Sequence, residues 1–523
     1  MNNDRKSLII LVFKCLLLTA VYVSGLQAQE TDSLRRVSGT VSDKSGALMP
    51  GVTVLVKGTP VFENGKIAGT RTDHEGKFSV SVPDENAILQ FRISRITPPF
   101  GYAHQEIVVG MQREIHVVMR EPGEPFGIET AIPVHLTEKQ RERAESDNSF
   151  AFKMFREVSK QQSDNIFFSP FSLNMSLAML YNGASDNTRA EMLKALGIAN
   201  FSEIDVNEYY QKISQSLLII DPITDINIAN SIWYRDKLPA CTSRSTSVKD
   251  SFIETGKKYF DADVQALDFN NPNAANMINK WCADKTNNRI DHIVDNPKSD
   301  DMGLYLINAL YFKSKWQTGK GFWKDQTKLD DFTKTNQQKI KAYMMTQRSW
   351  MHYYTDQHLQ CVELPYGNLA FSMIAILPSE NTNINRLIDH LPQVNWQSIV
   401  DNMRLQFVWL KLPRFKIEYE LPLNQPVMNL GMKQIFNQRN ANLANIADVP
   451  LHVSNIKQKT FVEVNEEGLE TPAPTAIDVL AFGKARKEPY PIHFFADRPF
   501  LFLIRENSTG VILLIGRVDE PLE

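Results

Sequence analysis

Apolar and polar positions change rhythm along this chain. Between residues 37 and 119 the period is two: Val37, Gly39 and Val41, then Val52, Val54 and Val56, then Phe78, Val80 and Val82, then Ile115, Val117 and Met119. Turn signals separate the runs, among them Asp43-Lys44-Ser45-Gly46, Lys57-Gly58-Thr59 and Asp73-His74-Glu75-Gly76. Such alternation predicts a small all-β, Ig-like sandwich over residues 35–120. Asp73 and His74 read as turn residues, not as a metal pair.

From residue 148 the pattern mixes two periods. Phe152, Phe155 and Val158 have helical spacing, and a second helix is predicted over 173–181, capped by Ser172 and ended by Asn182-Gly183. Strand-like runs follow at 226–234, 304–312, 371–377, 407–412, 500–504 and 511–515, with a helix over 274–286. This predicts one mixed α/β domain over 148–523, built on large antiparallel sheets. Residues 121–147 hold Glu121-Pro122-Gly123-Glu124-Pro125 and then the charged run 138–145. They read as a linker and a solvated lead-in.

The rhythm fails in two places. At the start, Arg5 and Lys6 precede an apolar run over 8–26 and the small residue Ala28. That is the layout of a secretory signal peptide over 1–28, with an uncut membrane anchor as the alternative. The expected location is secreted, periplasmic or cell-surface. Near the end, the strand-like run 461–465 stops at Glu466-Glu467-Gly468, and a small, polar stretch broken by Pro472 and Pro474 follows. From 469 to 498 the chain reads as a long exposed segment, a length that points to function.

Charge narrows the partners. With 57 basic and 60 acidic side chains the chain is nearly balanced, which argues against a nucleic-acid partner. Beyond the leader only Cys241, Cys282 and Cys361 remain; this spacing suits neither a disulfide framework nor a metal site, and buried thiols are expected. No Gly-x-Ser-x-Gly elbow, His-Glu-x-x-His helix or phosphate-binding glycine loop occurs, so neither enzyme chemistry nor a cofactor is expected.

Two resemblances sharpen these readings. Gly39-Thr40-Val41, Pro50-Gly51-Val52, Lys57-Gly58-Thr59, Thr72-Asp73, Gly76, Phe78 and Pro83 resemble a carboxypeptidase-regulatory-like domain. That resemblance implies a non-catalytic front module, here expected to reach a partner at the cell envelope. Residues 165–172 (NIFFSPFS), 308–313 (NALYFK) with Trp316, 412–416 (LPRFK), 430–432 (LGM), 461–468 (FVEVNEEG) and 496–500 (ADRPF) resemble the serpins, in family order and spacing.

The serpin resemblance implies an exposed reactive-centre loop on a monomer that inhibits serine or cysteine endopeptidases. A protease cleaves the loop as bait. The loop then inserts into the main sheet and carries the acylated protease with it. The hinge would be Glu466, Glu467, Gly468, Leu469 and Glu470. The bond attacked would follow the fourteenth residue after Gly468, which is Phe482, with Gly483 behind it; Lys484 and Arg486 are the alternatives. The cluster beneath the parting strands would be Ser169, Ser172, Asn308 and Gln458, with Trp316 packed where insertion begins. Gln458 stands where the family usually has His. Leu469 stands where a small residue is usual, and Pro472 and Pro474 remove ladder donors from any inserted strand. A non-inhibitory binding module or protease bait is the second expectation.

Overall fold

The computed structural model describes residues 35–119 and 131–522, apart from 467–489 and the short stretches 44–45, 57–61, 64–65, 68, 83–86, 96–100, 110–113, 132, 163, 222–223, 236–246, 287, 289, 296–302 and 318–320. The chain divides into two compact units between Glu129 and Thr130.

In the first unit the alternating runs become strands. Arg35–Ser42 is the middle of a three-stranded sheet, antiparallel to Lys77–Val82 and parallel to Glu114–Val118. A four-stranded antiparallel sheet follows the order Gly69–Arg71, Thr53–Val56, Ile88–Arg95, Gly101–Val108. Both sheets feed one core, in which Phe78 of the first meets Phe91 of the second edge to face at 5.2 Å. At Gly39 an added Cβ would lie 1.8 Å from the Ile115 carbonyl oxygen, so the close strand approach requires glycine. In the turn before Lys77–Val82, Asp73 accepts from the Glu75 and Lys77 amides at 2.9 Å, and Gly76 takes φ +66°.

The second unit opens with helix α1 (Glu138–Ser159). Thr137 and Gln140 form a capping box that fixes its start. Residues 138–147 are thus helix rather than linker, and position 148 lies inside it. The charged run misleads because Arg143 and Asp147 are four apart and both turn inward. They pair with each other, at 1% and 3% side-chain exposure, and share Tyr210, while Asn174 donates to Asp147 alone. A sequence shows that spacing but not which way it faces.

Helix α2 (Pro170–Gly183) is apolar or small on every side, and all its residues are buried. It packs on the strand Ile512–Val518 and on two strands of the five-stranded sheet, so it lies at the centre of the unit. That sheet comprises β1 (Asp225–Arg235), β2 (Ala262–Leu267), β3 (Leu304–Lys313), β4 (Phe415–Pro422) and β5 (Val453–Val464), in the order β2-β1-β3-β5-β4. A nine-stranded sheet holds the remaining strands.

Neither sheet is purely antiparallel, contrary to the expectation. β1 with β2, β3 with β5, and Arg404–Pro413 with Ile492–Phe495 are parallel pairs. The last pair also shortens the exposed segment expected over 469–498, because the chain rejoins a sheet at Ile492, with Phe494 fully buried. Cys282 and Cys361 are free and buried, and burial pushes the Cys282 thiol up to about 12; Cys241 lies outside the described residues.

The buried pair gives a stability test. Asp147→Ala leaves Arg143 uncompensated in a dry site and is expected to lower unfolding stability by about 3–5 kcal/mol. The double exchange Arg143→Met/Asp147→Leu is expected to recover most of that loss. Denaturant unfolding of both variants checks this, and a single-variant loss below about 1 kcal/mol would mean that water reaches the pair.

Candidate functional site

The site lies along the seam between β3 and β5. Their parallel ladder runs from Leu304 opposite Val453, through Asn308 opposite Gln458, to Tyr311 opposite Phe461, and ends there. Beyond it β5 continues against β4 alone, with Val462 opposite Ile417 and Val464 opposite Phe415. The unpaired ends of β3 and β5 frame a cleft of about 570 Å³ lined by Phe312, Lys313, Lys416, Phe461 and Glu463. The chain that leaves this open end is the segment 467–489.

Below the middle of the seam lies a dry polar cluster. Ser169, not Ser172, caps α2: its hydroxyl accepts from the Ser172 amide at 3.0 Å, and Pro170 occupies the first turn. The same hydroxyl donates to the Leu513 carbonyl at 2.7 Å. Gln458 of β5 accepts from the Ser169 amide at 2.7 Å and donates to the Ser169 carbonyl at 3.0 Å. Asn308 of β3 donates to Ser176 and, at 3.3 Å, to Asn230 of β1. Ser172 and Ser176 also donate to Asn230, at 3.3 and 2.9 Å.

The cluster thus joins Ser169, Ser172, Asn308 and Gln458, as the sequence reading grouped them, and adds Ser176 and Asn230. Two signals pointed to the additions. Ser176 lies one helical turn beyond Ser172, and Asn230 interrupts a β-prone run. Asn308 Oδ1 is buried and accepts no hydrogen bond. Each strand is moored to α2 or β1 separately: no side-chain bond of this cluster joins β3 directly to β5.

At the open end, Trp316 donates from its indole to the Asn465 carbonyl at 2.8 Å and stacks on Tyr366 at 4.5 Å. Glu466 is buried and accepts two bonds from Arg414 Nε, at 2.7 and 2.8 Å, and one from Thr327. Burial pushes its carboxyl up, but the Arg414 guanidinium and the Thr327 hydroxyl outweigh that and hold it below the usual carboxylate range. The other hinge positions, Glu467, Gly468, Leu469 and Glu470, lie outside the described residues, as do Phe482, Gly483, Lys484 and Arg486.

One contact straddles the seam. The helix Ala274–Lys285 packs on β1, and after it Ile293 and Val294 share one apolar cluster with Ile307 and Ala309 of β3. Asn279 holds that loop by bonding the Ile293 and Val294 amides at 2.9 Å and the Val294 carbonyl at 2.8 Å. Across the seam, Lys459 of β5 donates to the His292 carbonyl at 2.7 Å and pairs with Glu418 of β4. Lys459 was not singled out from the sequence, since a lysine in a strand reads as a solvated position.

The Glu466 pair has a pH signature. A carboxyl depressed on folding adds stability at pH above its unfolded value near 4.3, and that stability is lost as pH falls through the lower folded value. Glu466→Gln is therefore expected to cost about 1–3 kcal/mol at pH 7. The gap between variant and wild type should close below about pH 4. Thermal midpoints measured from pH 3 to 7 check this; a gap that does not vary with pH would assign the loss to packing.

A family model described as serpin (serine protease inhibitor) matches residues 145–521. Iripin-2 of Ixodes ricinus is 30% identical over 392 residues, which cover 73% of this chain and 94% of that protein. Human Serpin B4 is 30% identical over 401 residues, covering 72% of this chain and 99% of its own. Among solved structures, the thermophilic serpin tengpin in its native state superposes with a TM-score of 0.65 at 28% identity, over 76% of this chain and 97% of that one. Native protease nexin-1 with heparin gives 0.64 at 26% identity, over 73% and 100%. These matches run through the buried cluster and both ends of the seam, and the chain belongs to the serpin family.

Proposed function

We propose that this protein is an exported inhibitor of serine or cysteine endopeptidases that traps its target by strand insertion. Serpins are typically protease inhibitors rather than enzymes. In this reading the protease nucleophile attacks the carbonyl of Phe482, the Gly483 amine leaves with a proton, and residues up to Phe482 remain bound to the protease as an ester on serine or a thioester on cysteine. The freed segment enters the seam before water can hydrolyse that bond.

The observation that carries this is the direction of β3 and β5. A chain that leaves the end of β5 and turns back runs antiparallel to β5. Because β3 is parallel to β5, the same chain is antiparallel to β3 as well. One parallel ladder would become two antiparallel ones, the slightly more stable arrangement per residue. The open cleft at the Tyr311–Phe461 end supports entry from that side.

Leu469, Pro472 and Pro474 support the competing reading of a non-inhibitory module. Each proline withholds one ladder donor, and each stranded carbonyl costs about 1–3 kcal/mol if it stays dry. The apolar run over 8–26 supports export, and with it a target outside the cytoplasm. The first unit, with its carboxypeptidase-regulatory-like pattern, fits a module that docks at the cell envelope.

Incubation with chymotrypsin-, elastase-, trypsin- and papain-type proteases is expected to yield an SDS-stable complex with one of them. Mass spectrometry should place the cut after Phe482, with cuts after Lys484 or Arg486 as alternatives. Cleavage without a complex, and without a rise in thermal midpoint, would reject trapping and favour the non-inhibitory reading.

The Lys459 contact yields a rate test. Parting β3 from β5 by one strand spacing, about 4.8 Å, breaks its bond to His292. Lys459→Met is therefore expected to speed insertion several-fold, about one hydrogen bond's worth in the barrier. The rate of complex formation reads this; an unaltered rate would mean the contact survives opening.

A further inference from the structure

We propose that the outer face of the sheet beside the bait segment is a docking surface for the target protease, one that grips the enzyme apart from the bond it cuts. This rests on the reading that a protease engages residues 467–489. The face spans three strands: Lys339–Thr355, Arg404–Pro413 and Ile492–Phe495. Register places its side chains in rows: His352 with Leu405, Trp350 with Phe407, and Arg348 with Trp409 and His493. Phe495 extends the last row, 5.2 Å from Trp409.

Folding does not account for this surface. The opposite face of the same strands already supplies the core, with Met345, Val408, Leu410, Leu412 and Phe494 buried. Cross-strand aromatic pairs do stabilise a sheet, and Trp350 against Phe407 serves that end at 5.8 Å. Yet Trp350 remains 49% exposed, and Leu405, which faces a histidine across the ladder, is 56% exposed. Trp, Phe and Arg grouped on an exposed face are the residue types that carry binding energy at protein interfaces.

Position and charge select the occupant. Ile492–Phe495 is the first strand after the bait segment, and Phe482 lies ten positions before Ile492. That length of chain spans at most roughly 35 Å, about the width of a globular protease domain. A protease holding the bait is therefore tethered within that distance of this face. Arg348 lies 4.0 Å from the Trp409 ring centroid and gives the aromatic patch a cationic edge; Lys411, 5.2 Å from the Phe495 centroid, is paired with Asp330. The matching partner is a protease whose surface next to the active site joins an apolar patch to carboxylates.

The test uses the full chain and two variants, Trp350→Ala/Leu405→Ala and Arg348→Glu. The probe is whichever of the chymotrypsin-, elastase-, trypsin- and papain-type enzymes cuts segment 467–489 fastest. Both variants are expected to be attacked about tenfold more slowly than wild type. Their thermal midpoints should fall by no more than the loss of one cross-strand aromatic or cation–π pair explains. A synthetic peptide of residues 475–490, which lacks the face, should be cut at a rate that added salt leaves unchanged, whereas the full chain should lose rate with salt. Equal rates of attack on all three proteins would overturn the proposal. So would a wild type that sediments as a dimer and variants that sediment as monomers, since the face would then belong to a second copy. The two readings fail separately: absence of SDS-stable complexes rejects trapping, while the cleavage rate still reports docking.

Discussion

The large unit depends on one parallel ladder that is held closed without being sealed. β3 and β5 share backbone bonds only as far as Tyr311 and Phe461. Beneath the ladder, Gln458 moors β5 to the start of α2, and Asn308 moors β3 to Ser176 and Asn230. Separate moorings let the strands part without tearing a shared side-chain network. The spare acceptor on Asn308 leaves the cluster capacity to bond again in another arrangement.

The choice of Gln458 has a physical consequence. An amide both donates and accepts, so one side chain satisfies the Ser169 amide, which the helix start leaves without a regular partner, and adds a second bond to the Ser169 carbonyl, which also accepts from the Leu173 amide at 3.2 Å. It also does not titrate. A histidine at the same place would change charge near neutral pH, whereas this mooring is insensitive to pH.

Energetics at the ends of the seam act against those in its middle. A net hydrogen bond contributes about 1 kcal/mol, so a strand inserted as proposed, with two new ladders, would outweigh the few bonds of Lys459 and the Trp316–Asn465 contact. In the proposed trapping reaction the prolines would subtract from that gain, and rate would decide the outcome, because the acyl-protease also meets water. In that proposal the barriers to opening would matter more than final stability: the Arg414–Glu466 pair at the mouth and the loop tied to β5 by Lys459.

The sequence by itself determined the strands of alternating runs, the central apolar helix and the family motifs. In each, the local period matches the burial that the fold imposes. It also grouped Ser169, Ser172, Asn308 and Gln458, though only through family resemblance, since four polar residues spread over 169–458 have no local pattern. Tertiary structure alone decided three things. Arg143 and Asp147 gave a buried side to a helix whose other early charges stay exposed, because a salt bridge at four-residue spacing serves equally well in water or in a core. Ser176 and Asn230 completed the cluster, because only the packing of α2 on β1 and β3 turns a helical spacing and a polar interruption of a strand into hydrogen bonds. And β3 came to lie parallel to β5, the feature on which the whole reading turns, because strand direction follows from the path of the chain between strands and not from the residues within them.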